Sequence, residues 1–283
     1  MKIQPSETSI SVVIPSKNKP LVDLARMVNH TLKNAKDLEI IIIDQTVGRI
    51  EKLPSVIHIL TTEPKSAISA RHIGGEMATG SIIVFLDDDI FVSATFFSFL
   101  KQYPLPDDSI SFYAPVVIDS CHSKTFIYIR ALVELICMRG QDIRILNRAR
   151  LLLGLDRKPS NYFWGGAIVT NRLGVRFYRN QLPCPGQPIQ LGDMEFGRIC
   201  QTHNIRLAVP NELYCIHDDP HSYLKPQNSS LRRAAIEFER YNKFQGILFK
   251  FLLQLKNRLN WNRPSRLVYK NVLAKRVLGR AKY

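Results

Sequence analysis

The chain has 283 residues, 45% of them hydrophobic, which is enough to bury a sizeable core and fits an α/β enzyme of one domain or two closely joined halves. Its net charge of +15 suggests nucleic acid at first sight, but 11 of the 39 Lys and Arg residues and none of the 24 acidic ones lie in 241–283. The charge belongs to a tail, not to a general binding face. The longest apolar runs, such as Ile40 to Ile43 and Ile82 to Leu86, are of strand length, far short of the roughly 20 residues a membrane-spanning helix needs. The polar N-terminus lacks the pattern of an export leader. The five scattered cysteines form no close pairs, so reduced thiols in a cytoplasmic protein are expected.

In chain order, Ile10 to Ile14 reads as a strand, Leu21 to Leu32 as a helix and Leu38 to Asp44 as a second strand. A poorer strand at Val56 to Leu60 precedes a segment of helical composition, Ala67 to Ala78, and then a strand, Ser81 to Leu86. Continuous Val/Ile/Leu strands separated by helix-length segments predict a mostly parallel sheet flanked by helices, of the nucleotide-binding type. Ligands of such sheets sit at the carboxyl ends of the strands, where Asp44 and the run Asp87, Asp88 and Asp89 fall. Further on, Phe126 to Leu153 is helical in pattern, Leu213 to Ile216 is a short strand, and Ser229 to Leu259 reads as one or two helices with an apolar stripe.

Three carboxylates following a buried strand are costly without a cation. Mg²⁺ and Mn²⁺ take oxygen ligands and commonly join one or two carboxylates to the phosphates of a nucleotide. If strand geometry persists, Asp87 and Asp89 share a face and Asp88 points away. An acidic triplet can also be a solvated turn, or cap a helix over Phe91 to Leu100; its place after an apolar strand favours the metal. Asp44 can accept hydrogen bonds from a base or a ribose, and Arg71 can counter diphosphate charge, though it also suits an exposed helix face.

Together, Ser11 to Asn18 (SVVIPSKN), Ile41-Ile42-Ile43-Asp44, Ala70-Arg71-His72 with Gly75 and Gly80, and Phe85-Leu86-Asp87-Asp88-Asp89 resemble the family-2 glycosyltransferases with the GT-A fold. The resemblance is strong over residues 9 to about 92 and looser over 160 to about 220. It implies that Pro15, Ser16 and Asp44 hold the uridine end of a nucleotide sugar, that Arg71 contacts the nucleotide, and that the aspartates hold ribose and metal. Asp87 and Asp88 are then substrate contacts, and Asp87 and Asp89 metal ligands. His72 stands where the family usually has Asn. In the second half, Asn161 to Ala167 (NYFWGGA) resembles the family's glycine pair, placing Gly165 and Gly166 against the donor with Trp164 as a stacking aromatic. Leu191-Gly192-Asp193-Met194-Glu195 resembles its Glu-Asp motif, with glycine at the glutamate position and Asp193 as the general base. Glu195, two residues on, is a weaker substrate contact. His217, after the short strand, either completes the metal or phosphate site or is structural.

The expected organisation is a GT-A catalytic domain over 1–225, divided into a nucleotide-sugar half (1–92) and an acceptor half (93–225), followed by a basic helical extension, 226–283. The expected activity is inverting transfer of a sugar from a nucleotide diphosphate donor, a UDP-sugar by the resemblance, to a hydroxyl of a glycan or a lipid-linked saccharide, with Mn²⁺ or Mg²⁺. The tail suits an anionic membrane surface on the cytoplasmic face, or packing on the catalytic body, better than nucleic acid. Two other readings are a sugar-1-phosphate nucleotidyltransferase and a non-catalytic nucleotide-binding protein at the membrane surface. The first would need a glycine-rich basic loop after the first strand, which Pro15 to Pro20 is not. Asp87 to Asp89 together with Asp193 argue against the second.

Overall fold

A computed structural model of the protein describes residues 9–54, 56–61, 67–119, 166–180, 193–205 and 207–217, with Asn147, Arg150, Leu151, Leu153, Leu155 and Phe163. The expected tail helices, Trp164 and Gly165 lie outside the described residues.

The first six elements follow the order expected: β1 (Ile10–Ser16), α1 (Leu21–Asn34), β2 (Glu39–Asp44), β3 (Ile57–Leu60), α2 (Ala67–Met77) and β4 (Ile82–Leu86). After them come β5 (Ile90–Val92), α3 (Phe96–Gln102), β6 (Phe112–Tyr113), β7 (Val116–Asp119), β8 (Ala167–Asn171), α4 (Arg172–Asn180), α5 (Asp193–Thr202), β9 (Leu207–Ala208) and β10 (Tyr214–His217). A seven-stranded sheet runs β3-β2-β1-β4-β8-β6-β9, and a three-stranded one runs β5-β10-β7. Strands β1 to β4 pair in parallel, as their unbroken apolar runs require, and β8 joins β4 antiparallel. Where a helix over Phe91 to Leu100 was one expectation, the chain forms β5 and then the shorter α3. Ile90 and Val92 are buried in the small sheet against β10, which overrides the helical composition.

Side chains alternate across the sheet and divide the core in two. Val12, Ile14, Ile40, Ile42, Val84 and Leu86 pack with Met27 and Val28 of α1 and with the phenylalanines of α3. Val13, Ile41, Ile43, Ile83 and Phe85 face the other way, against α2, α4 and α5. On that second side Phe196 of α5 stacks on Phe163 at 5.1 Å and meets Tyr178 of α4 edge-on at 4.6 Å, which fixes α5 to the sheet.

Helix α2 lies very close to β1, and a glycine makes this possible. A Cβ on Gly74 would fall 2.3 Å from Val13 Cγ1 and 3.3 Å from Ile43 Cγ1. The helix carries Arg71 one turn earlier, so the same contact sets that residue's height over the sheet. Gly74→Ala is expected to destabilise the fold by about 1–3 kcal/mol through overpacking. A thermal melt should show a lowered Tm that Val13→Ala partly restores in the same chain; an unchanged Tm would contradict this packing.

Candidate active site

The polar residues collect at the carboxyl edge of β1, β2 and β4, and strand alternation sorts them. Ser16, Asp44 and Asp88 continue the α1 side, whereas Asp87 continues the α2 side, where Arg71 reaches it. Strand geometry then ends: Ile90 N donates to Asp87 O at 3.1 Å and closes a turn over the aspartates. As a result the three carboxylates have three sets of partners. Asp87 pairs with Arg71, which is 6% exposed. Asp88 Oδ2 accepts from Ser16 Oγ at 2.8 Å, with Lys19 Nζ 3.7 Å from Oδ1. Asp89 Oδ2 lies 3.1 Å from His217 Nε2, at the end of β10. Asp87 and Asp89, expected to share a face if strand geometry persisted, have different partners here because the chain turns after β4.

Burial pushes the Asp88 carboxyl above its usual pKa. The charges of Asp89 and Asp87 add to this, and the Ser16 hydrogen bond and Lys19 charge oppose it. Gly166 sits beside Asp87 because β4 pairs with β8 from Leu86–Ala167 onward, and its carbonyl accepts Asp87 N at 2.9 Å. A Cβ on Gly166 would fall 2.8 Å from Ile90 Cδ1, so any other residue here would make the Ile90 side chain shift.

Asp44 does not present its carboxylate to a ligand in this arrangement. It is 0% exposed, and its oxygens accept from Thr46 N at 2.9 Å, Arg49 Nη1 at 2.6 Å and His58 Nε2 at 3.1 Å. Leu53 N donates to His58 Nδ1 at 3.0 Å, which leaves the Nε2 hydrogen for Asp44. Burial opposes ionisation of Asp44, but the hydrogen bonds from Thr46 and His58 and the charge of Arg49 outweigh it and hold the pKa below its usual value. The loop after β2 thus folds Thr46 and Arg49 onto a buried anion.

The neighbouring residue was not singled out from the sequence. Gln45 is 3% exposed, its N donates to Ser16 O at 2.8 Å, and its Oε1 has no hydrogen-bond partner. A buried acceptor in that state is destabilising until a donor arrives. Arg49 and His58 were also missed, since one lies in a loop without periodicity and the other on the short edge strand β3, and no spacing rule joins either to Asp44. Pro15 and Ser16 end β1 as expected, both buried. Asp193 and Glu195 lie in the first turn of α5.

Residues 11–145 match the family described as glycosyl transferase family 2. The chain carries a family-2 glycosyltransferase domain. No curated protein matches the sequence, but 225 chains of solved structures do. One is the mannosyltransferase PcManGT from Pyrobaculum calidifontis, in complex with GDP-Man and Mn²⁺, with 15% identity and a TM-score of 0.51. The match covers 80% of this chain and 61% of that one, so the chain spans less than two thirds of its length. At that identity the likeness establishes the fold, and it agrees with the GT-A architecture expected of this glycosyltransferase domain.

The donor set of the site fits a divalent ion that arrives with a nucleotide. No group of three or more His, Cys, Asp or Glu that could hold a metal is present among the described residues. The Asp89–His217 pair offers one hard oxygen and one imidazole nitrogen, both partly exposed, so further positions must come from phosphate or water. Also among the described residues, no helix is long and apolar enough to cross a membrane. Cys200 and Cys215 are free, buried thiols, and burial pushes Cys200 up to about 12.

The Asp44 arrangement has a testable consequence. Asp44→Asn leaves Arg49 and His58 around an uncharged group and should cost about 3 kcal/mol at neutral pH. A carboxylate with a lowered native pKa stabilises the fold above its unfolded value of about 4, and that contribution is lost as pH falls through the lowered native value. The difference between wild type and variant in urea unfolding should therefore shrink as the medium is acidified below about pH 4. A difference that stays constant with pH would contradict the assignment.

Proposed function

We propose that this protein is an inverting glycosyltransferase that moves a sugar from a nucleoside diphosphate donor to a hydroxyl of a glycan or a lipid-linked saccharide. The observation that carries the reading is the aspartate turn after β4, in which each carboxylate is aimed by a different element: α2, the β1 loop and β10. In this reading the diphosphate lies over the turn. A divalent ion held through Asp89 and His217, with Asp87 within reach, would supply positive charge to the departing diphosphate.

The chain's own residues do the rest. Asp88 and Ser16 face the ribose, and Asp87 orients Arg71 toward the phosphates. Gln45 Oε1 takes an N–H of the base; uracil and guanine both carry a ring N–H, so UDP and GDP donors are both candidates. Buried Asp44 supports this wall from beneath instead of touching the base. Gly166, with its neighbours Gly165 and Trp164, borders the donor sugar. Asp193, at the start of α5, removes the proton of the acceptor hydroxyl as its oxygen attacks the anomeric carbon opposite the diphosphate, with Glu195 beside it. The basic segment 241–283 would hold the enzyme at an anionic membrane surface on the cytoplasmic face, near a lipid-linked acceptor.

The test is a panel of UDP- and GDP-sugars with Mn²⁺ or Mg²⁺, reading nucleoside diphosphate binding by calorimetry and its release during turnover. Wild type should bind one nucleoside diphosphate more tightly with metal than without, and Asp89→Ala should remove that difference. Asp193→Asn should keep nucleotide affinity and lower transfer by about 100-fold or more, the usual contribution of a general base. Metal-independent binding would remove the ion from the site, and normal turnover in Asp193→Asn would remove the base.

A further inference from the structure

One cation in the site region has two separate acceptors, and they lie on different loops. Arg49 Nη1 donates to Asp44 Oδ2 at 2.6 Å, and its Nη2 donates to the carbonyl of Lys19. Lys19 belongs to the connection between β1 and α1, and its side chain reaches Asp88 beside that of Ser16, the last residue of β1. A second tie joins the same loops: Asn18 N donates to Thr46 Oγ1 at 2.8 Å. Asn18 adopts φ 57, a left-handed turn conformation that asparagine accepts more readily than most side chains, and its N–H is aimed at Thr46 there. A polar chain therefore runs from His58 through Asp44 and Arg49 to the Lys19 backbone, and the side chain of that same residue lies 3.7 Å from Asp88.

We infer that Arg49 is a positioning residue for the nucleotide donor, a clasp that carries the rigidity of the buried Asp44 to the β1–α1 loop and so fixes Lys19 against Asp88. Neutralising Asp44 requires only a cation. Reaching Asp44 and the Lys19 carbonyl together uses the two terminal nitrogens of the guanidinium, held apart in a rigid planar fork, whereas an ammonium offers all its N–H groups from a single nitrogen at the end of a flexible stem. With the clasp broken, the loop would keep its sequence but lose its distance to Asp88, and the donor would meet a looser wall. Misplacement of that kind weakens binding without touching a reacting group.

The inference rests on the donor site proposed above, and the experiment keeps the two apart. UDP and GDP, each with Mn²⁺, are titrated into wild type, Arg49→Lys, Lys19→Met and the double variant, with Tm measured for all four. Binding to wild type tests the donor site, and the variants test the clasp. Arg49→Lys should keep the Asp44 pair and a Tm near wild type, yet raise the Kd of the preferred nucleotide about tenfold. In turnover it should raise donor KM with little change in kcat. The double variant should lose less affinity than the two single losses combined, because both act through one loop. Arg49→Lys binding as wild type does, or fully additive losses, would overturn the clasp. Absence of nucleotide binding in wild type would overturn both readings. Should Arg49→Lys lower Tm and affinity together, restoration of Tm by a stabilising osmolyte without restoration of affinity supports positioning, and joint restoration refutes it.

Discussion

Side chains alternate along a strand, and at the carboxyl edge of this sheet that rule assigns adjacent acidic residues to opposite faces. Asp87 goes to the α2 side and meets Arg71, and Asp88 goes to the α1 side and meets Ser16. Had the three aspartates shared one surface, their mutual repulsion would have fallen on a single patch with no counter-charge. The turn closed by Ile90 N on Asp87 O sends the third, Asp89, to β10. Each carboxylate thus meets a different donor. The glycine contacts at Gly74 and Gly166 serve the same end, since one lets α2 approach β1 and the other leaves room for Ile90.

A second layer of charge lies behind the first. Asp44 carries no exposure, and Thr46 and Arg49 of the following loop and His58 of β3 all donate to it. A buried carboxylate so partnered is weak evidence for stability as such, because its desolvation offsets much of the attraction. What it does provide is a defined geometry for the first part of the loop, where Val47 and Ile50 remain exposed at 74% and 87%. Leu53 and Val56 further on pack against the core, so polar contacts order the start of the loop and apolar ones its end.

The N-terminal elements were legible because buried parallel strands leave unbroken apolar runs, and the structure places β1 to β4 within a residue or two of the expected bounds. The acidic edge was legible for the same reason, since a carboxylate directly after such a run needs a partner, whether protein donor or ligand. What could not be read was the destination of each side chain. Arg49 and His58 lie 5 and 14 residues from Asp44, in a loop and on an edge strand, and no spacing rule joins them to it. Gln45 was passed over because an amide shows no need for a ligand until its burial is known. Asp89 and His217 are joined only by the pairing of β5 with β10, a contact between distant parts of the chain.

The central claim is that the aspartate turn holds a nucleoside diphosphate through a divalent ion, and anomalous diffraction tests it most directly. Crystals grown with Mn²⁺ and the preferred nucleoside diphosphate should give one strong anomalous peak at the manganese edge, at coordination distance from Asp89 and His217 and bridged to the diphosphate. A peak elsewhere, or nucleotide bound over the turn without one, would contradict the account.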